Sequence, residues 1–430
     1  MLQSSVLTLG LLLSTSVAAA MDVGQAVVLW PGAPPQHQLL PACAFDGKGT
    51  FLVVWQQGRK YFEGEDARVL AARIAADGTV LDGEPLALCT AEGSQERPRV
   101  AFAAGVFLVV WQDFRNGEDW DVRAARVRPD GKVLDADGIE VATGPRSQAM
   151  PDVAGGPEAF LVAWQDRRSS DPYEVFAALV PPNDEPRPAG GAPLVHDGKH
   201  LTGGSVHVAR ARDLWFLAWK DDFAWSVGGG PTARITRLLA RVSASGDRLQ
   251  VMDVRRAPRG TYGLHPASLA ASPTRAFFAT GGSQRSVRCA MGAMYDAATG
   301  QPIRNPNTET RSNSAGWNTE HAIVLLEPLV PGVQPPMAVA SDGEHFLVAI
   351  RQRAARRDPR QPLRLLRLDA SGRRLDDVKA LPVLDPGQRP CSHPALAAGQ
   401  PGSFLVAYQS QDAGGCQRVV ARVASVAQAR

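Results

Sequence analysis

Three aspartates each stand two residues after a tryptophan: Trp111-Gln112-Asp113, Trp164-Gln165-Asp166 and Trp219-Lys220-Asp221. Two such carboxylates held roughly 5–10 Å apart can hydrolyse a glycosidic bond, one protonating the leaving oxygen and the other activating water or attacking. The same spacing has an architectural reading, in which each Asp binds its own loop or a guanidinium such as Arg115 or Arg168. Recurrence favours that second reading, because a feature copied from unit to unit usually serves the unit.

A second set is polar. Gln38, Gln95, Gln148, His265 and His393 each precede a short apolar segment. They form either a hydrogen-bonding collar around a ligand or caps on loop backbone. A third set is aromatic: Tyr61, Phe62, Phe114, Trp120, Tyr173, Phe223 and Trp225. Rings gathered on one face suit a sugar or a peptide; rings folded inward cover strand edges. A fourth set, Arg351, Arg353, Arg356, Arg357 and Arg360, suits an anionic glycan or a phosphate, or makes a solvated charge run. The acidic loops 63–66 and 118–121 are calcium candidates without EF-hand spacing. No other cofactor is implied. HExxH, GxSxG, a phosphate-binding P-loop, paired CxxC and a Ser-x-Asp-x-Gly-x-Thr-Trp box are all absent.

These residues need a frame, and the sequence repeats one. Phe107-Leu108-Val109-Val110-Trp111-Gln112-Asp113 returns, with variation, near Phe51, Phe160, Phe216, Phe277, Phe346 and Phe404, at intervals of 53 to 69 residues. Strand-like repeats of that period belong to propeller blades rather than helical solenoids. The second unit shows the plan. A short strand around residues 99–102 is followed by an apolar strand at 106–111, an alternating one at 121–127, an Asp130-Gly131 hairpin and a fourth strand at 138–142. The apolar run predicts an inner strand buried on both faces between neighbouring blades.

The seventh unit stops after its third strand, at 419–423. The segment 21–32, at the start of a single propeller domain over 21–430, supplies the missing one, since residues 25–32 run into a Pro-Gly turn as residues 380–387 do. The expected fold is therefore all-β: a seven-bladed propeller of four-stranded antiparallel blades, closed by an N-terminal strand that completes the last blade. Closure leaves no exposed edge across the seam. The expected blades cover about 40–90, 97–143, 150–196, 205–257, 265–330, 336–386 and 393–425. In such a ring the longer loops open on one face around the channel mouth, which is where any site belongs.

Composition narrows the function. A net charge of +3 over 430 residues argues against a nucleic-acid binder held by phosphate contacts. An apolar run at 6–13 and the small residues Ala18-Ala19-Ala20 read as a secretory signal over residues 1–20, with a secreted or periplasmic mature chain. No apolar stretch is long enough for a membrane helix. Five cysteines make no disulfide framework. Cys43 and Cys89 fall about three strand spacings apart in one blade, too far to bridge. Cys391 and Cys416 fall at the same end of the seventh blade, as a disulfide or as two thiols, and Cys289 has no evident partner.

The FLVVWQD…DVRAARV…DGKVLD pattern resembles repeats of secreted bacterial β-propeller proteins. The resemblance implies the fold and carries no catalytic residues with it. Three readings of function follow. The first is an exported, monomeric binding module for an extracellular protein or glycan, with Gln38, Gln95, Gln148, Trp225, His265, Arg351, Arg353 and His393 as ligand-binding candidates. The second is a carbohydrate-active enzyme, glycoside hydrolase or lyase, using Asp113, Asp166 and Asp221. The third is a structural cell-surface component. Two inward carboxylates with one raised pKa favour the enzyme, whereas a channel mouth of Gln, His and apolar groups favours binding.

Overall fold

The computed structural model describes residues 21–32, 36–58, 66–169, 173–194, 206–221, 236–246, 248–256, 268–284, 287–307, 321–329, 337–351, 362–377, 381–384 and 391–426. Among them every regular element is a β-strand. Seven antiparallel sheets form the blades of a propeller, spanning 38–87, 95–142, 148–193, 207–256, 268–329, 337–384 and 391–426.

The repeated apolar run is the wall between blades. In blade 2 the strand Val106–Asp113 is buried along almost its whole length. Its side chains alternate between two neighbours. Phe107, Val109 and Trp111 pack with Leu52 and Val54 of blade 1, while Leu108 and Val110 pack with Val153, Phe160 and Val162 of blade 3. Both faces meet protein, so neither can be polar. The same two-sided packing runs round the ring and closes where Leu405 and Ala407 of blade 7 meet Phe51, Val53 and Trp55 of blade 1.

The outer hairpin glycines have a packing role as well as a turn role. Arg73, on the third strand of blade 1, pairs with Asp82 at 2.6 Å and donates from Nη1 to the carbonyl of Pro129 in the blade 2 hairpin at 3.3 Å. Gly131, at φ 92°, lies against that guanidinium, where a Cβ would approach it to 2.9 Å. Arg241 and Gly300 repeat the contact between blades 4 and 5. Each turn is thus glycine for its left-handed backbone and for the arginine beneath it.

The N-terminus supplies the fourth strand of blade 7. Met21–Val23 and Val27–Val28 both pair with the last strand, Gln417–Val426. The partners are Met21↔Val426, Val23↔Ala424 and Val27↔Ala421, and Gly24 donates its N–H to Val423 O at 2.9 Å between the two pieces. The pairing starts at Met21, the first residue of the expected closing segment 21–32. A second contact seals the seam: Val419 N–H donates to Oε1 of Gln38, in blade 1, at 2.8 Å.

Of the two alternatives for Cys391 and Cys416, the disulfide is the one the structure does not show. Cys391 and Cys416 are not joined. Cys391 opens the innermost strand, Cys391–Ala398, opposite Ser410, whereas Cys416 adjoins the start of the third strand. The strand Ser403–Gln411 lies between them. Two strand spacings, roughly 10 Å, exceed the reach of a disulfide.

Candidate functional site

Four innermost strands begin with the same irregularity. The ladder slips between Leu39 and Ala42 in blade 1, Glu96 and Arg99 in blade 2, Ala149 and Asp152 in blade 3, and Ser392 and Ala395 in blade 7. At each slip one residue is left-handed: Leu40 (φ 53°), Arg97 (55°), Met150 (56°) and His393 (47°). Each is followed by a proline, Pro41, Pro98, Pro151 or Pro394. Proline has no N–H to give the ladder, which explains why pairing breaks there.

A left-handed residue other than glycine is strained by about 1 kcal/mol or more and needs outside support. The neighbouring blade gives it. Gln409 of blade 7 accepts the N–H of Leu40 at 3.0 Å, Gln56 of blade 1 accepts that of Arg97 at 3.2 Å, and Gln112 of blade 2 accepts that of Met150 at 3.2 Å. These glutamines directly follow the wall residues Tyr408, Trp55 and Trp111. The repeat therefore carries its own latch at three junctions, where blade 7 holds the bulge of blade 1, blade 1 that of blade 2, and blade 2 that of blade 3.

The four bulged residues line a cavity of about 540 Å³ at the channel mouth, together with Trp120, Tyr173 and Gln417. A second cavity of about 250 Å³ adjoins it in the channel and is lined by Arg99, Asp152, His207 and Ser268. Leu40 and His393 border both. Trp120 is packed on Phe114, with ring centroids 5.0 Å apart, and Arg167 lies over Tyr173 at 5.3 Å.

Burial, and then Arg351, Arg97 and Arg99, push the His393 imidazole down to about 4, so it is neutral near pH 7. In the channel, Asp152 accepts the N–H of Val208 at 2.9 Å and lies 3.9 Å from Arg99 and 3.6 Å from His207.

The other sequence candidates fall elsewhere. Gln38, Gln95 and Gln148 are fully buried and do not line the mouth. Gln95 donates to Gly93 O and Gln148 to Arg146 O, both at 2.7 Å, and Gln38 is committed to the seam. Each of these amides makes at least one bond to backbone. His393 is not their counterpart, since it sits two residues further on, at the bulge. Asp113 is fully buried, accepting from Trp111 Nε1 at 2.8 Å and from Arg115 Nε and Nη2, each at 2.7 Å. Burial pushes its carboxyl up, but the bonds from Arg115 and Trp111 outweigh burial and hold it below the usual range. Asp166 binds Trp164 and Arg168 in the same way. Asp221 ends the strand Leu214–Asp221, and its side chain lies outside the described residues, as do Trp225, His265 and Arg353. Loop 118–121 is organised by Asn116, whose Oδ1 accepts the N–H groups of Glu118 and Asp119. Among the described residues no three His, Cys, Asp or Glu side chains gather as a metal site, and no helix is long and apolar enough to cross a membrane.

No protein-family model matches the chain, and no curated protein does. Solved structures do. A protein of unknown function from Dyadobacter fermentans aligns over 95% of this chain and 99% of its own, at 13% identity and TM-score 0.50. The hemagglutinin-neuraminidase ectodomain of parainfluenza virus 5 aligns over 95% and 85%, at 7% identity and TM-score 0.52. An α-L-arabinanase of Penicillium chrysogenum, complexed with arabinobiose, aligns over 94% and 99%, at 10% identity and TM-score 0.47. At these identities the likeness is one of fold.

Proposed function

We propose that this chain is an exported binding module whose ligand sits in the channel mouth between blades 7, 1, 2 and 3. The observation that carries the reading is the set of strained residues Leu40, Arg97, Met150 and His393 around one cavity of about 540 Å³, the first three held by the neighbouring blade. Strain stored at several points around one concave site is the pattern of a preorganised pocket. The lining supports binding over catalysis, because glutamine, histidine and apolar side chains dominate it. Export rests on the small-residue site near residue 20.

The enzyme reading has one observation in its favour. Burial and the neighbouring Asp119 push the Asp121 carboxyl up to about 6, and Asp121 pairs across the strands with Asp113, whose carboxyl is held low. A raised and a lowered acid side by side make an acid–base couple. Against it, neither group lines the mouth, and Asp113 is engaged by Arg115 and Trp111.

A thermal-shift screen of the chain from residue 21 against glycans and small acids, run beside hydrolysis assays on aryl glycosides, separates the two. The binding reading predicts stabilising ligands and no turnover. Turnover lost in Asp121→Asn, with folding intact, would replace it by the enzyme.

A further inference from the structure

We infer that the mouth takes a neutral hydroxylated ring, a sugar residue, held by the side-chain NH2 groups of Gln112 and Gln409 and packed against Trp120 and Tyr173. This deepens the reading of the mouth as the ligand site and rests on it.

The latch uses only half of each amide. Oε1 of Gln409 accepts the N–H of Leu40, and Oε1 of Gln112 accepts that of Met150. A backbone N–H is met by the oxygen of a carboxamide and not by its nitrogen, so the orientation of both groups is fixed. The NH2 end of each then turns away from the bulge. Both glutamines line the mouth, Gln409 at 3% exposure and Gln112 at 5%. Among the described residues neither Nε2 has a protein acceptor. A carboxylate in the same place would serve the latch as well, because it also accepts. The amide adds donors that the blade does not use. Donors this buried need an acceptor, and at the mouth that acceptor is water or a ligand.

Charge does not select an ion here. Glu96 and Arg97 line the mouth with opposite signs, and each is engaged by a partner. The His393 imidazole is uncharged near pH 7. Its Nδ1 lies 3.1 Å from Ser392 Oγ, and its Nε2 accepts or donates as the tautomer requires. The polar groups are thus mixed donors and acceptors without net charge, which is the complement of a set of hydroxyls. The rings complete the match. Trp120 is braced by Phe114 with centroids 5.0 Å apart, and Tyr173 by Arg167 at 5.3 Å, so both are held in place before a ligand arrives. An aromatic face packs well on the C–H face of a sugar ring while its polar edge stays available for hydrogen bonds. A purely apolar ligand would strip water from the amide donors and return nothing. An acid would bring its charge to Glu96 and find Arg97 already engaged.

Isothermal titration calorimetry with the methyl glycosides of glucose, galactose, mannose, xylose and arabinose, beside 3-phenylpropionate as the acid, tests this. At least one glycoside is expected to bind with a millimolar Kd or tighter, and high salt should leave that affinity unchanged. Gln112→Glu and Gln409→Glu keep an oxygen for the bulge and lose the NH2 donors. Each should weaken the glycoside by about threefold or more, while the melting temperature falls less than in the matching alanine variant. A readout on the wild-type chain stands beside these variants. In protein isotopically labelled at glutamine, the side-chain NH2 signals of Gln112 and Gln409 should shift in the NMR spectrum as the glycoside saturates. Signals that stay in place at saturation overturn the amide assignment. No glycoside binding at millimolar concentration, or 3-phenylpropionate binding more tightly than every glycoside, overturns the sugar; if Met150→Trp, which fills the mouth, abolishes binding of the acid, the mouth itself stands. Glycoside affinity that is equal in wild type and in Met150→Trp overturns the mouth as the site.

Discussion

The side-chain oxygen of Gln112 accepts the backbone N–H of Met150 at 3.2 Å, so the wall strand of blade 2 fixes the bulge of blade 3. Removing that acceptor leaves a half-buried N–H without its partner and frees a strained residue. Gln112→Ala should lower stability by about 1–2 kcal/mol, read as a lower urea midpoint, and weaken any ligand of the mouth. Unchanged stability would mean that the bulge holds itself.

Asp113 joins Trp111 to Arg115 inside blade 2. Asp113→Asn removes the charge paired with the half-buried Arg115 guanidinium and should destabilise the fold by about 1–3 kcal/mol, seen in chemical denaturation. Binding at the mouth should survive once folding is accounted for. Full stability with loss of a hydrolytic activity would assign the carboxylate to chemistry.

The wall strands and their closure were legible in the sequence because burial on both faces forces an unbroken apolar run, and Phe107–Trp111 shows it plainly. The unpaired third strand at the C-terminus likewise pointed to an N-terminal partner. The mouth was less legible. A bulge adds one residue without changing which side chains are apolar, so apolar patterning aligned His393 with Gln38, Gln95 and Gln148. The signal that finds the correct alignment is the proline: Leu40-Pro41, Arg97-Pro98, Met150-Pro151 and His393-Pro394. The latch glutamines were hidden for a different reason. Gln56, Gln112 and Gln409 bond to the backbone of another blade, and sequence names no backbone partner.

Stability should respond to pH through two groups of opposite sign. His393 has an ordinary value of 6.5 and a folded value of about 4, set by burial and by Arg351, Arg97 and Arg99. The folded state therefore takes no proton where the unfolded chain does. Its contribution is full above pH 6.5 and is lost as pH falls toward 4, by about 2–3 kcal/mol. Asp121 has an ordinary value of 3.8 and a folded value of about 6, set by burial and Asp119. Its contribution is lost as pH rises through that window, by a smaller amount because solvent screens the half-buried carboxyl. Urea midpoints at about pH 4.5 and pH 7.5 should show a shallower acid loss in His393→Asn, which tolerates the left-handed backbone, and a gain near pH 7.5 in Asp121→Asn. Parallel shifts at both pH values would remove these two groups from the account.

The central claim is that the mouth between blades 7, 1, 2 and 3 is the ligand site. The most direct measurement is the affinity of the strongest binder from the screen for wild type and for Met150→Trp. The larger side chain fills the cavity from a position already left-handed. The account predicts a loss of about tenfold or more with an unchanged melting temperature. Equal affinity in the two proteins would contradict it.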